Sequence, residues 1–263
     1  GCEHRVSSCE SSEGAPIKHM SYDMEPFMND CVEQYLRLSG SSRSSLRKVA
    51  TPYLEDNPAD PTDAADGHGV LQPIATKVLM KILYGARMAR FDLLRAVSVL
   101  ATKVTKWTRM CDRQLHRLVS YINCTLSHRL QGHVGDTPDK VKLGLYCDAD
   151  LAGCLETSRS SSRVFLALEG PNTFYPLAAL SKRQSCVSHS TPEAEIVAAN
   201  TGVRTIGIPA VTFWESVLGR SVDLFLNEDN TATIQIINSG RNPALRHVSR
   251  THRINVSWLH EVF

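Results

Sequence analysis

The stretch Leu145-Tyr146-Cys147-Asp148-Ala149-Asp150 restricts the fold more than any other, because it drives a strand into two acids. Going back to Val141, apolar side chains fall at Val141, Leu143, Leu145 and Cys147, while Lys142, Tyr146 and Asp148 take the other face. That is the period-two pattern of a strand. Asp148 then points away from the Leu143/Leu145 side, and an ionised carboxylate on a strand has to be paired, hydrated or metal-bound. A strand that stops at Cys147 and leaves both aspartates in a solvated turn is the plainer alternative.

With 263 residues, 42% of them hydrophobic and 21% charged, the chain can bury a core across one or two domains. The formal net charge of +2 demands no polyanionic partner, so an argument for nucleic acid has to rest on where the charges sit. There is no unbroken run of about 18 apolar residues and no signal-peptide core, which leads us to expect an intracellular protein, cytoplasmic or nuclear, with no membrane partner. Eight scattered cysteines form no Cys-x-x-Cys pair and lack zinc-ligand His spacing, so neither a disulfide framework nor a structural zinc is expected. A glycine start and an amphipathic pattern still running at Val262-Phe263 read as an excerpt of a longer product.

Residues 1–20 are Ser- and charge-rich without periodicity and predict a frayed end. Helical spacing runs from Tyr22 to Leu38, ended by the Ser/Gly-rich residues 39–45, and an acidic linker from Glu55 to Gly69 should stay extended. Three amphipathic stripes follow: Leu71/Ile74/Val78/Ile82, then Leu94/Val97/Leu100/Ala101/Val104, then Leu115/Leu118/Val119/Ile122/Leu126. Together they predict a small helical region over 70–135, in which His116 and His128 serve as surface or capping residues. Beyond it the pattern turns to strands at 141–147, 164–168 and 174–180, with Pro176 weakening the third or placing it at an edge. Ser190-Thr191-Pro192-Glu193 has capping-box spacing and opens a helix.

That helix carries Glu195, whose neighbours three, four and seven positions on are Ala198, Ala199 and Gly202. So small a face allows close approach to a sheet, where the glutamate could reach a strand-borne aspartate; a surface helix whose acids favour its N-terminal end fits equally well. A further strand alternates through Val222, Leu224 and Leu226, then Glu228-Asp229-Asn230 opens a helix from Thr231 to Ser239, stopped by Gly240. Asp229 or Asn230 is placed to cap it, and a strand-end aspartate is equally placed to bind a metal.

Tyr146-Cys147-Asp148-Ala149-Asp150-Leu151-Ala152-Gly153, Ser181-Lys182-Arg183-Gln184 and Ser188-His189-Ser190-Thr191-Pro192-Glu193-Ala194-Glu195, followed by Asp229-Asn230-x-Ala232 and Ser249-Arg250-Thr251-His252, resemble the ribonuclease H domain of copia-type retrotransposon polyproteins. The likeness covers about residues 140 to 263. Residues 84–92 are similar to the segment that joins such a reverse transcriptase to its ribonuclease H, with Phe91 where the family usually has proline. The resemblance implies a reverse transcriptase fragment and linkers over 1–69, a helical connection region over 70–135 and an α/β, ribonuclease H-like mixed sheet flanked by helices over 136–263.

It further implies that Asp148 matches the first-strand catalytic aspartate, Glu195 the glutamate of the first helix and Asp229 the aspartate ending the fourth strand. The family's last carboxylate falls at Asn255, a neutral side chain, so reduced activity is expected. Two Mg²⁺ or Mn²⁺ ions would be held by Asp148, Glu195 and Asp229, because in-line cleavage of a phosphodiester needs an activated water and charge stabilisation on two oxygens. The expected substrate is RNA in an RNA:DNA hybrid, contacted by Arg241, Arg246, Arg250 and Arg253, in an acid-free stretch with His247 and His252, and by Lys182 and Arg183. The remaining partners would be the polyprotein's reverse transcriptase and integrase. No Tyr-x-Asp-Asp polymerase motif occurs, and the alternative is a catalytically silent remnant that folds and binds nucleic acid.

Overall fold

The computed structural model describes residues 1–10, 14, 16–55 and 67–263, so most of the acidic linker expected over 55–69 lies outside the described residues. The protein is a mixed α/β chain in two compact units, Gly1–Arg5 with Ser21–Leu130 and Val6–Met20 with Gln131–Phe263.

Two strands, β1 (Glu3–Glu10) and β2 (Pro16–Asp23), stand where a frayed end is expected. Every residue of β1 is exposed, so no alternation of burial marks it in the sequence, and hydrogen bonding within the sheet makes it a strand. The helix expected from Tyr22 begins later, as α1 (Glu25–Ser39), because Tyr22 belongs to β2 and Asp23 Oδ1 accepts the Glu25 N–H at 2.8 Å. Gly40, at φ 69°, ends it in the left-handed conformation that glycine adopts without penalty.

Three more helices complete the first unit: α2 (Gln72–Met88), α3 (Leu94–Thr102) and α4 (Arg109–Cys124). α1 packs on α2 and α4, and α3 packs on both of those. The buried stripe of α2 is Ala75, Val78, Leu79, Ile82 and Ala86; Leu71 and Ile74, expected inside, are half-buried at its start. His116 takes neither a cap nor the open surface. Its ring bridges the Tyr35 hydroxyl (2.9 Å) and the Ser45 carbonyl (3.1 Å), whereas His128 is exposed as expected.

The sheet has seven strands in the order β1-β2-β3-β6-β5-β4-β7, with β3 (Leu130–Val134), β4 (Lys142–Asp150), β5 (Ser161–Gly170), β6 (Thr173–Arg183) and β7 (Leu224–Asn227). β4 lies between antiparallel β5 and parallel β7, which makes the sheet mixed. β6 is an interior strand flanked by β5 and β3, so Pro176 is not at an edge. The register skips where Leu166 faces Ala178 and Ala167 faces Pro176, and this irregularity takes up a residue with no N–H to give.

After β6 the chain forms α5 (Thr191–Gly202), a π-helical turn at Val203–Gly207 and α6 (Ile208–Leu218). Pro209 near the start of α6 cannot donate back along the helix, and the wider turn precedes it. This continuous helix, Thr191–Leu218, is long and apolar enough to cross a membrane by length and composition, and 44% of its most apolar window is buried inside the protein. α5 packs against β4 and β5. The core beneath it joins Leu143, Leu145, Val164, Leu166, Ile196 and Val203 to the later helices α7 (Thr231–Ser239), α8 (Val248–Thr251) and α9 (Val256–Val262).

Candidate metal centre

Parallel pairing of β4 with β7 sets the site. Tyr146 pairs with Asn227, so the next residues, Glu228 and Asp229, leave β7 alongside Cys147 and Asp148. Asn230, not Asp229, caps α7, its Oδ1 accepting the Thr233 N–H at 3.0 Å. Asp229 is thereby released from capping.

Glu195 arrives from the opposite direction. Ser190 caps α5 by accepting the Glu193 N–H, and the small face of the helix closes on β4, with Ala149, Ala194 and Ala198 forming one buried cluster. A β-carbon at Gly202 would sit 2.5 Å from Cys147 Sγ, and one at Gly207 would sit 3.0 Å from Leu224. Glycine at both positions lets the helix lie this close. The surface-helix alternative for Glu195 falls away, since the residue is 3% exposed.

Carboxylate oxygens of Glu195, Glu228 and Asp229 lie within 4.8 Å of one another. Glu195 Oε2 and Glu228 Oε2 are buried without a hydrogen-bond partner, while Glu228 Oε1 accepts the Asn230 N–H at 3.1 Å. Burial first, then the charges of Glu228, Asp148 and Asp229, push the Glu195 carboxyl up to about 8. Burial likewise pushes Glu228 up to about 7, with Asp229 and Asp148 adding to it against the Asn230 N–H. The Cys147 thiol, buried beneath them, is pushed up too.

Asp148 does not join that triad. Its Oδ2 accepts from Arg163 Nη1 at 3.0 Å, and the other arm of the same guanidinium reaches Asp150 Oδ2 at 3.0 Å. Asp148 and Arg163 face each other directly across β4 and β5. A pocket of about 580 Å³ opens here, lined by Tyr146, Asp148, Arg163, Phe165, Glu228 and Asp229 among others.

No protein-family model matches the chain. It is similar, at 29% identity over 168 residues, to the uncharacterized mitochondrial protein AtMg00810 of Arabidopsis thaliana. The matched stretch is 64% of this chain and 59% of that protein, so the chain spans less than two thirds of that relative.

The other expected site residues are not in the triad and make contacts of their own or face solvent. Asn255 is exposed and caps α9, its Oδ1 accepting the Ser257 N–H at 3.0 Å. Lys182 is exposed near the end of β6, and Arg183 is half-buried with a guanidinium nitrogen 4.0 Å from Cys154 Sγ. Arg241, Arg246, Arg250 and Arg253 are all exposed. Their segment is anchored by buried Leu245, Val248 and Ile254, and by Glu193.

Glu193 Oε1 lies 3.1 Å from His252 Nε2 and 3.2 Å from His247 Nε2, and Oε2 accepts the His189 N–H at 2.9 Å. Burial would raise its pKa, but the His189 N–H and the two imidazoles outweigh burial and hold the carboxyl below its usual range.

Three participants escape a reading of the sequence. Glu228 is adjacent to Asp229 but looks like a mere helix opener. Arg163 becomes visible only once the β4–β5 register is known. Glu193 passes for a capping residue, and its capping-box spacing was the one available signal.

Proposed function

We propose that the second unit is a metal-dependent endonuclease that hydrolyses RNA in RNA:DNA hybrids, as part of a copia-type retrotransposon polyprotein with a reverse transcriptase and an integrase. The observation that carries this reading is the meeting of Glu195, Glu228 and Asp229, brought from α5 and the end of β7 to one place beside Asp148. The family likeness puts its acids on the first strand, the first helix and the end of the fourth strand. Counting from β4, Asp148, Glu195 and Asp229 occupy those places.

The donors fit Mg²⁺ or Mn²⁺: they are hard carboxylate oxygens, and Glu195 Oε2 is buried with nothing to bond. Such an ion, when bound, activates water and offsets charge building on the attacking and leaving oxygens of a phosphodiester. Glu195 and Glu228 would hold it from the buried side, and exposed Asp229 from the side where a phosphate arrives. Asp148 adds negative charge beside them, and Asn255 has only a carbonyl oxygen already engaged as a cap. Arg241, Arg246, Arg250 and Arg253, with Lys182 and Arg183, suit phosphate oxygens, and recognition would read backbone shape and the 2′-hydroxyl.

A second reading, a catalytically silent remnant that binds nucleic acid, is favoured by the Asp148–Arg163 ion pair and by the cap at Asn255. Labelled hybrid incubated with purified protein and Mg²⁺ or Mn²⁺ separates the two. Cutting that falls by ~10²-fold or more in Glu195→Gln and Asp229→Asn supports the enzyme. Hybrid binding without cutting selects the remnant, and equal cutting by wild type and both variants excludes this site.

A further inference from the structure

The strongest unassigned contact beside the acid triad is the fork of Arg163. One nitrogen donates to Asp148 and the other to Asp150, both at 3.0 Å, and the direct cross-strand pairing of Asp148 with Arg163 fixes where the fork originates. The second oxygen of Asp150 is occupied as well, accepting the Ser161 N–H at 2.6 Å. Guanidinium keeps its charge at any physiological pH, and its planar fork suits carboxylates. A cation therefore already sits on Asp148, in an ion pair whose two side chains are both partly exposed, and Asp148 is the acid that the resemblance implies between two ions.

The triad is different in kind. Glu195 is 3% exposed, its Oε2 has no partner, and its carboxylate lies with those of Glu228 and Asp229 within 4.8 Å. Among the described residues this is the set of side chains spaced to share an ion, and Asp148 is not a member.

We infer that the centre takes a single divalent cation on Glu195, Glu228 and Asp229, and that Arg163 stands in place of a second ion by occupying Asp148. The inference rests on reading the triad as a metal centre, and it adds Glu228 as a ligand and Arg163 as the group that sets the stoichiometry. Loss of Arg163 would free Asp148, a carboxylate beside the triad, to help bind another.

Titration of the full chain with Mn²⁺ alone, followed by calorimetry and by electron paramagnetic resonance, tests this without any cleavage assay. One ion per chain is expected for wild type and for Arg163→Lys, two for Arg163→Gln, and one again for Arg163→Gln combined with Asp148→Asn. Glu228→Gln should weaken the wild-type ion at least tenfold. Two ions on wild type, or one on Arg163→Gln, would overturn the role of Arg163 while leaving the metal centre standing. No ion on wild type or on Arg163→Gln would overturn the centre itself, and circular dichroism of each variant separates lost binding from lost folding.

Discussion

Glu195 and Glu228 are acids that the fold makes reluctant to ionise, held at about 8 and about 7 by burial and by the charges of Asp148 and Asp229, with Glu228 also raising Glu195. In the unfolded chain a glutamate titrates near ~4.3, so between that pH and 7–8 the folded protein keeps protons that the unfolded chain releases. Stability without a cation is therefore fullest below about pH 4 as far as these two groups decide it, and it is lost as pH rises toward 8. In chelator, thermal unfolding should occur several degrees lower at pH 8 than at pH 5. Glu195→Gln should flatten the difference, and added Mn²⁺ should reverse it while releasing protons that a pair of buffers can count.

Glu193, two residues away, is the opposite case, a buried acid kept ionised by donors. Glu193→Ala would strand the buried His252 ring and the His189 N–H, at a cost of ~1–3 kcal/mol by chemical denaturation. That Asp148, Glu195 and Asp229 are candidates was legible from the family resemblance, while their local spacing left plainer readings open. That Glu228 joins them and Asp148 is held by Arg163 was not, because each depends on a neighbour far away in the chain.

Among the elements, the contact of α5 with β4 decides whether the acids meet. Gly202 against Cys147 and Gly207 against Leu224 leave no room for a side chain. Gly202→Val should destabilise the protein by ~1–3 kcal/mol, since a well-packed interface cannot absorb the added volume, and it should weaken Mn²⁺ binding by moving Glu195 away from Glu228 and Asp229. The small-residue face was readable in advance, as was the alternation of β4 and the strand leading to Asp229. β1 left no trace because none of its side chains is buried, and of the two outcomes open to Pro176, an edge or a disturbed pairing, the sheet shows the second, a register irregularity inside it.

Taken over the full chain, a net charge of +2 conceals a sharply local distribution. Acids gather at the ends of β4 and β7, while four exposed arginines follow between 241 and 253, in a segment pinned by Glu193 and by the core contacts of Val248 and Ile254. If these arginines meet phosphates, the logarithm of hybrid affinity should fall against the logarithm of salt with a slope of roughly −3 to −4. Arg246→Ala and Arg250→Ala should each reduce that slope by about 1, in titrations between 50 and 200 mM salt.

Local order could be read from the residues because propensity, periodicity and capping act over a few positions: the strand of Asp148, the helix of Glu195 and a cap at Asp229 or Asn230 are each decided within one turn or one strand. The convergence of acids could not, because it follows from which strands pair and in what register. Parallel β4–β7 pairing sets Glu228 and Asp229 beside Cys147 and Asp148, and antiparallel β4–β5 pairing sets Arg163 on Asp148. A shift of one residue in either register would send the same side chains to the other face of the sheet, and no short-range pattern distinguishes those outcomes.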